Sequence, residues 1–413
     1  MAQRIKALHA LHGDQARAAD PLAHAALSAS AGTGKTQVLT GRVLRLLLSG
    51  AAPETILCLT FTKAAAAEMA NRIGKRLAAW VRMKDPDLKK DLFALGERND
   101  PPTVQRARRL FAKVLEAPGG LRIQTIHSFA QTLLASFPAE AGIAPGFQPL
   151  EGRAEQELGR TTLANLLADA EAGGNEQLIR DVQCLSLRLG EGAAVDYLMR
   201  CARATEAFAV LGAPEAIEAR LRAMMELPNE SIEDYLAHHC GDDRLDCDLL
   251  RAVADANRRW GGKMGLGHAG VIDDWLALTP IERAATLTDL RKVVLTDKGT
   301  LKVSPGQSKA EPHYEAHAGR LANLISDLLR VQNAARLAGE MAAGLRAGQA
   351  FADAYAHAKR AAGVADFDDL IRWTGALLNK PGMGEWVRYK LDQRTDHVLV
   401  DEAQDTNEAQ WDI

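Results

Sequence analysis

Eight residues near the front of the chain, Ala29–Thr36 (ASAGTGKT), constrain its fold more than any other stretch. Gly32 and Gly34 permit tight backbone turns whose N–H groups converge on an anion. Lys35 adds a point charge suited to β- and γ-phosphates, and the Thr36 hydroxyl is suited to Mg²⁺. The pattern matches a phosphate-binding loop except at its first position, where Ala29 replaces glycine. Such a loop belongs between a strand and a helix, because the helix N-terminus completes the anion site. Ala25–Leu27 is the expected strand. Lys35–Ser49, with Leu39, Val43, Leu46 and Leu47 at helical spacing, is the expected helix. A Gly-rich turn without a ligand has no need of the Lys-Thr pair.

The same alternation continues through the first third. Ile56–Thr62 (ILCLTFT) reads as a buried strand, Ala64–Trp80 as a helix, and Leu121–Thr125 (LRIQT) as a strand after the breaker Pro118-Gly119-Gly120. The strand pattern returns at His397–Asp401 (HVLVD). In between, from about Glu151 to Ala365, Ala, Leu, Glu and Arg dominate and β-branched runs are scarce. Within that region Thr296–Pro312 is polar, with Gly, Pro and Ser, and reads as an exposed loop. The expected architecture is α/β: a parallel-sheet domain from residues 1–150 and 366–413, interrupted by a large, mainly helical inserted domain over 151–365.

Composition narrows the function classes. At 413 residues the chain has room for two or three domains, and 47% hydrophobic with 25% charged residues excludes global disorder. The 50 Lys+Arg nearly balance the 53 Asp+Glu, so any nucleic-acid surface must be local. Five cysteines, few and odd in number, suit a reducing, cytoplasmic compartment. The N-terminus has no uninterrupted apolar run, and the apolar stretches are too short or too broken by charge to span a bilayer. Neither a signal peptide nor a membrane protein is therefore expected. His238, His239, Cys240 and Cys247 fit no common zinc spacing.

The second chemical feature is Val398–Thr406 (VLVDEAQDT). An apolar strand ending in two acids sets Asp401 at a sheet's carboxyl edge, where Mg²⁺ sits opposite a phosphate loop. Glu402 is then suited to orient or deprotonate an attacking water. An isolated Asp-Glu pair reads as a helix cap; paired with an upstream phosphate loop it reads as hydrolytic machinery. Phe61, His127 and Phe129 fall at or just beyond strand ends. Their rings can stack on bases, while Thr60, Thr62, Lys63 and Ser128 can hold phosphates. Taken singly, Phe61 or Phe129 reads as core. Asp366, Asp368 and Asp369 read as the charged start of a helix.

Together these segments resemble the UvrD-like helicases of superfamily one. Gln15 in DQARAADP resembles their adenine-reading glutamine motif, TFTKAAAAEM (Thr60–Met69) their motif Ia, and TIHSF (Thr125–Phe129) their motif Ib. DFDDLI (Asp366–Ile371) resembles the segment these proteins carry shortly before the acidic motif. The run YKLDQRTDHVLVDEAQDTNEAQW is most similar to the helicase–nucleases of the AddA type, in their alphaproteobacterial form. The resemblance implies a RecA-like P-loop NTPase domain that uses ATP and Mg²⁺. Gln15 and the loop Ala29, Ser30, Ala31, Gly32, Thr33, Gly34, Lys35 and Thr36 would bind nucleotide. Thr36 and Asp401 would hold Mg²⁺, Glu402 would be the hydrolytic base, and Gln404 would couple nucleotide state to DNA. Phe61, Thr62, Lys63, His127, Ser128 and Phe129 would contact DNA. The implied activity is 3′-to-5′ ATP-dependent DNA unwinding in double-strand-break repair and recombination, with an exonuclease in the parent and an AddB-like partner protein. Relatives of this kind continue into a second RecA-like domain and a nuclease domain. The chain stops at Ile413, behind the acidic motif, so an N-terminal fragment or a truncated gene product is expected. The alternative function is a nucleotide- and DNA-binding module without turnover.

Overall fold

A computed structural model describes residues 7–28, 30 and 34–413. Ala29, Ala31, Gly32 and Thr33 of the phosphate-loop motif lie outside the described residues. The chain divides into two units, one formed by Met1–Glu155 with Lys359–Ile413, the other by Gln156–Ala358. Among the described residues the molecule is mostly helical, with a small parallel sheet in the first unit.

In the first unit, α1 (Asp14–Ala18) carries Gln15, and α2 (Lys35–Ser49) follows. Gly34 and Gly50 flank α2 at φ of +92° and +111°, left-handed conformations that glycine adopts without a Cβ clash. Its inward face, Val38, Val43, Leu44 and Leu46–Leu48, is buried. Next come β1 (Ile56–Thr60), α3 (Lys63–Arg82), α4 (Asp85–Ala94), α5 (Pro101–Glu116), β2 (Arg122–Thr125) and α6 (Ile126–Ser136). The chain then forms β3 (Gln148–Pro149) and, after the second unit, β4 (Val364–Ala365), α7 (Phe367–Asn379), α8 (Met383–Asp392) and β5 (His397–Val400). Side-chain caps fix where the helices begin: Thr62 accepts from the Ala65 N–H at 3.0 Å, and Thr125 from the Ser128 N–H at 3.1 Å.

The main sheet has the order β2-β1-β5, all parallel, with Thr60 beside Thr125 and Leu59 beside Val400. Parallel pairing brings all three carboxyl ends to one edge. Residues alternate across β1. Ile56 and Cys58 join a core of α2–α5 that includes Trp80, Ile73, Leu77, Leu92 and Leu110. Leu59 packs against the other layer, with Leu133, Leu134, Leu370, Ile371 and Val387. Helices thus cover both faces, which explains the continuous apolar run in β1. Asp91 is buried in the first layer because three donors satisfy it: the Leu8 N–H at 3.0 Å, and Trp80 Nε1 and an Arg76 guanidinium N–H, each at 2.9 Å.

Two expectations need correction. Ala25–Leu27 is not a strand; it is exposed and outside any ladder. The segment offers one large apolar side chain, and β5 ends the sheet without pairing to it. An extended segment with no ladder partner leaves its N–H and C=O groups to water. Thr296–Pro312 is not simply an exposed loop. Leu295 and Leu301 bridge antiparallel, and Pro305–Ala310 is a helix started by a capping box between Ser304 and Gln307. Gln307 is buried and donates to Asn257 Oδ1 at 2.9 Å and to the Tyr314 hydroxyl at 2.7 Å. Residues that read as loop also cap a short helix that buries one side chain, Gln307.

The second unit is helical around Leu250, Val253, Ile272, Trp275, Leu290, Leu321 and Ile325. Its longest element is the 49-residue helix Tyr314–Ala362, whose last residues, from Lys359, belong to the first unit. In this second unit Arg346 grips the buried Asp181 with two bonds of 2.8 and 2.7 Å. Among the described residues no helix is long and apolar enough to cross a membrane.

Candidate nucleotide site and nucleic-acid edge

Lys35 opens α2, and Asp401 and Glu402 directly follow β5. The fold brings them together from opposite ends of the chain: Lys35 Nζ stands 3.9 Å from Glu402 Oε2. The ladder holds the acids in register, since the Asp401 N–H donates to the Leu59 carbonyl at 2.9 Å. The Glu402 N–H in turn donates to Asp401 Oδ1 at 3.1 Å. Burial and the Glu402 carboxylate push the Asp401 carboxyl above its usual range, while Lys35 pulls it back. Two acids facing one lysine are short of positive charge, and that deficit fits a divalent cation held by Asp401. Thr36 lies beside Lys35 on the first turn of α2, which Thr40 steadies by donating its hydroxyl to the Thr36 carbonyl at 2.8 Å.

Glu402 has φ +53° and ψ 42°, a left-handed conformation that non-glycine residues rarely adopt. Such strain concentrates where a side chain must point one way. Gln404 Nε2 donates to Glu402 Oε2, so both neighbours of that carboxylate are polar. Gln15 Nε2 lies 3.5 Å from the point where a Cβ on Gly34 would stand, so the glutamine sits over the end of the loop. Ser30 is exposed and outside regular structure. The described residues therefore fit a nucleoside triphosphate: a glycine turn into a helix N-terminus, a lysine at its first position, and an amide above it.

The other half of the same edge carries the remaining candidates. Phe61, directly behind β1, is 41% exposed, and Thr62 and Lys63 open α3 beside it. Lys63 Nζ is paired with both Glu151 oxygens, at 2.9 and 3.1 Å, on the surface. A phosphate can compete for it there, since exposed pairs are weak. Behind β2, the Ser128 hydroxyl is hydrogen-bonded to Thr125 Oγ1 at 2.9 Å. His127 is half-buried, and burial lowers its pKa, with Asp368 and Glu151 opposing. Burial thus favours the neutral form of its ring over the charged one. Phe129 must be corrected: it is 8% exposed and belongs to the core, so a base cannot reach its face. Three residues into α6 the helix has turned that side chain inward.

One residue to which the sequence pattern assigns no role belongs here. Phe367, the first residue of α7, is 39% exposed, and its ring centroid lies 4.7 Å from that of His127. By its pattern DFDDLI is only a helix start; the signal within it is an aromatic immediately after the capping Asp366, in a position that burial cannot absorb. Among the described residues no group of three or more His, Cys, Asp or Glu is arranged to hold a metal ion. Near His238 and Cys240, His239 Nδ1 meets the Tyr235 carbonyl and the Cys247 thiol points to Asp242 Oδ1.

A lysine at a helix N-terminus, set against acids that directly follow a strand of a parallel sheet, is the constellation of the P-loop nucleoside triphosphatases. The family model described as UvrD/REP helicase N-terminal domain matches residues 11–413, and the chain belongs to that family. It is similar to the AddA subunit of the ATP-dependent helicase/nuclease of Levilactobacillus brevis, 25% identical over 93% of this chain and 31% of that protein. The proteins of the same name from Enterococcus faecalis and Moorella thermoacetica are 26% and 28% identical, over 94% and 93% of this chain. The chain spans about a third of the length of the curated relatives it matches.

Proposed function

We propose that the chain supplies the nucleotide-binding part of an ATP-dependent, 3′-to-5′ DNA helicase of double-strand-break repair and recombination. The observation that carries the reading is the carboxyl edge of one parallel sheet: Asp401 and Glu402, with Lys35 against them, follow β5, exposed Phe61 follows β1, and His127, with Phe367 against it, lies just behind β2. Lys35 and the N–H groups at the start of α2 bind the β- and γ-phosphates, and Gln15 reads the adenine. Thr36 and Asp401 hold Mg²⁺, which when bound neutralises the phosphate oxygens. Glu402, with Lys35 within 3.9 Å, takes the proton of the attacking water, and Gln404, hydrogen-bonded to its carboxylate, couples nucleotide state to DNA. Bases stack on Phe61 and on the His127–Phe367 pair, while Thr62, Lys63 and Ser128 meet phosphates. We read residues 151–365 as a helical domain inserted between the 1–150 and 366–413 parts of one RecA-like domain. The relatives are named as subunits of a helicase/nuclease, which supports an exonuclease elsewhere in the parent protein and a heterodimeric, AddB-like partner. A cytoplasmic site of action fits DNA as substrate.

The test uses the 413-residue chain. Phe61→Ala lowers affinity for a single-stranded oligonucleotide by about 1–3 kcal/mol with unchanged melting temperature. Unchanged DNA affinity with a lowered melting temperature removes Phe61 from the site. The second reading, binding without turnover, is separated by DNA-stimulated ATPase. An arginine finger supplied from elsewhere is worth roughly 10³–10⁵ in rate, so turnover by this chain alone is expected to be barely measurable. Robust stimulated turnover that vanishes in Lys35→Ala selects a self-sufficient enzyme instead.

A further inference from the structure

The start of α7 is built more heavily than a helix start requires. Asp366 caps the helix: its Oδ1 accepts from the Asp369 N–H at 2.8 Å, and Asp369 Oδ2 accepts from the Asp366 N–H at 3.3 Å. A single Asn or Ser would satisfy such a terminus. Here two carboxylates, 4% and 1% exposed, share one buried site, an arrangement that is costly without a cation. The cation is Lys359, itself 5% exposed, with Nζ 2.6 Å from an oxygen of each aspartate. Arg372 adds a second contact to Asp369 from within α7. Lys359 comes from the last turns of the long helix, seven residues before the cap, and β4 between them is pinned to β3. The two residues enclosed by the capping box are Phe367, against His127, and Asp368, whose charge reaches His127.

We propose that Lys359 is a positioning residue for the nucleic-acid edge: by bridging Asp366 and Asp369 it holds the first turn of α7 so that Phe367 stays against His127. The inference rests on the reading of this edge as a single-strand surface. Lys359 touches no DNA. It sets the direction in which Phe367 leaves the helix: the bridge ties the first turn of α7 to the end of the long helix, and without Lys359 that tie is lost even where the cap itself is kept.

The experiment measures anisotropy of a fluorescein-labelled oligothymidylate with the full chain, below the onset of thermal unfolding. Binding of a fluorescent ATP analogue and the melting temperature are recorded alongside. Lys359→Met is expected to weaken oligonucleotide binding about tenfold and leave nucleotide binding unchanged, and Lys359→Arg to recover to within about threefold of the wild type. Where Lys359→Met folds poorly, Lys359→Met with Asp366→Asn removes a balanced pair, keeps an asparagine cap and leaves Asp369 with Arg372. That variant is expected to melt near the wild type and still bind DNA weakly. Adding Phe367→Ala to Lys359→Met should cost no more than Phe367→Ala alone, because both act through one ring.

Wild-type DNA affinity in the charge-balanced variant overturns the proposal, as do independent losses that multiply with Phe367→Ala. A parallel fall of nucleotide affinity, DNA affinity and melting temperature also overturns it, leaving Lys359 a purely structural residue. If Phe61→Ala and Phe367→Ala both bind DNA like the wild type, the reading of the edge fails and the proposal falls with it. If they lose affinity while Lys359→Met does not, only the proposal falls.

Discussion

Replacing Lys35 by alanine should separate fold from function, and the geometry sets the size of each effect. At an effective dielectric of about 20, two unit charges at the 3.9 Å between Lys35 Nζ and Glu402 Oε2 attract by about 4 kcal/mol. The side chains are 27% and 40% exposed, and solvent screening reduces the pair to about 1 kcal/mol or less. Losing it should shift the melting temperature by no more than about 2–4 °C. Nucleotide binding has no such screening once the phosphates cover the lysine. Charge-assisted bonds of about 1.5–3 kcal/mol are lost, which weakens Mg²⁺·ATP roughly 10- to 150-fold. The assay is titration with a fluorescent ATP analogue in Mg²⁺ buffer, beside thermal unfolding of the same samples. Equal affinity in wild type and variant would refute the assignment of Lys35 to phosphate. Weaker binding with a melting temperature lowered by about ten degrees or more would also refute the reasoning, because the lysine would then be holding β5 and α2 together.

Glu402→Gln should keep nucleotide affinity within a few-fold and abolish whatever turnover the chain shows when a catalytic arginine is supplied in trans, since only the proton acceptor is lost; retained turnover places the base elsewhere. Phe129→Ala should lower stability by about 3–5 kcal/mol in denaturant titrations while the folded fraction keeps its DNA affinity, the reverse of Phe61→Ala. Asp401 ionises above its ordinary value of 3.8, so its proton returns earlier as pH falls, and Mg²⁺-dependent nucleotide affinity should decline from a higher pH than an unperturbed carboxyl dictates. In the same window the folded state binds the proton more tightly than the unfolded chain, so this group adds stability as pH falls while metal affinity drops. Mg²⁺ titrations across pH check this, and an Asp401→Asn variant with an identical pH profile assigns the effect to another group.

Local chemistry carried much of the architecture in advance. The apolar spacing of Lys35–Ser49, the glycines at both its ends, and the β-branched run from Ile56 are physical instructions that act within a few residues, and the structure follows them. The acids behind β5 were legible only together with the upstream phosphate loop, since an isolated Asp-Glu pair reads as a helix cap. Where a segment's fate depended on partners far along the chain, local pattern was silent or misleading. Ala25–Leu27 has the composition of a short strand but finds no ladder, and Pro305–Ala310 has the composition of a loop but is tied to Asn257 and Tyr314. Phe61 and Phe129 are the same residue type near the ends of neighbouring strands. One is left exposed because the chain turns to cap α3 just after it, and the other is buried because α6 rotates it onto the layer beneath. The meeting of Lys35 with Glu402, of His127 with Phe367, and of Lys359 with two aspartates in one buried site arises from parallel pairing and layer packing. The sequence by itself determined which elements form and which chemical groups stand at their ends. Only the tertiary structure decided which of those groups face one another, because side-chain direction and burial are set by neighbours far away along the chain.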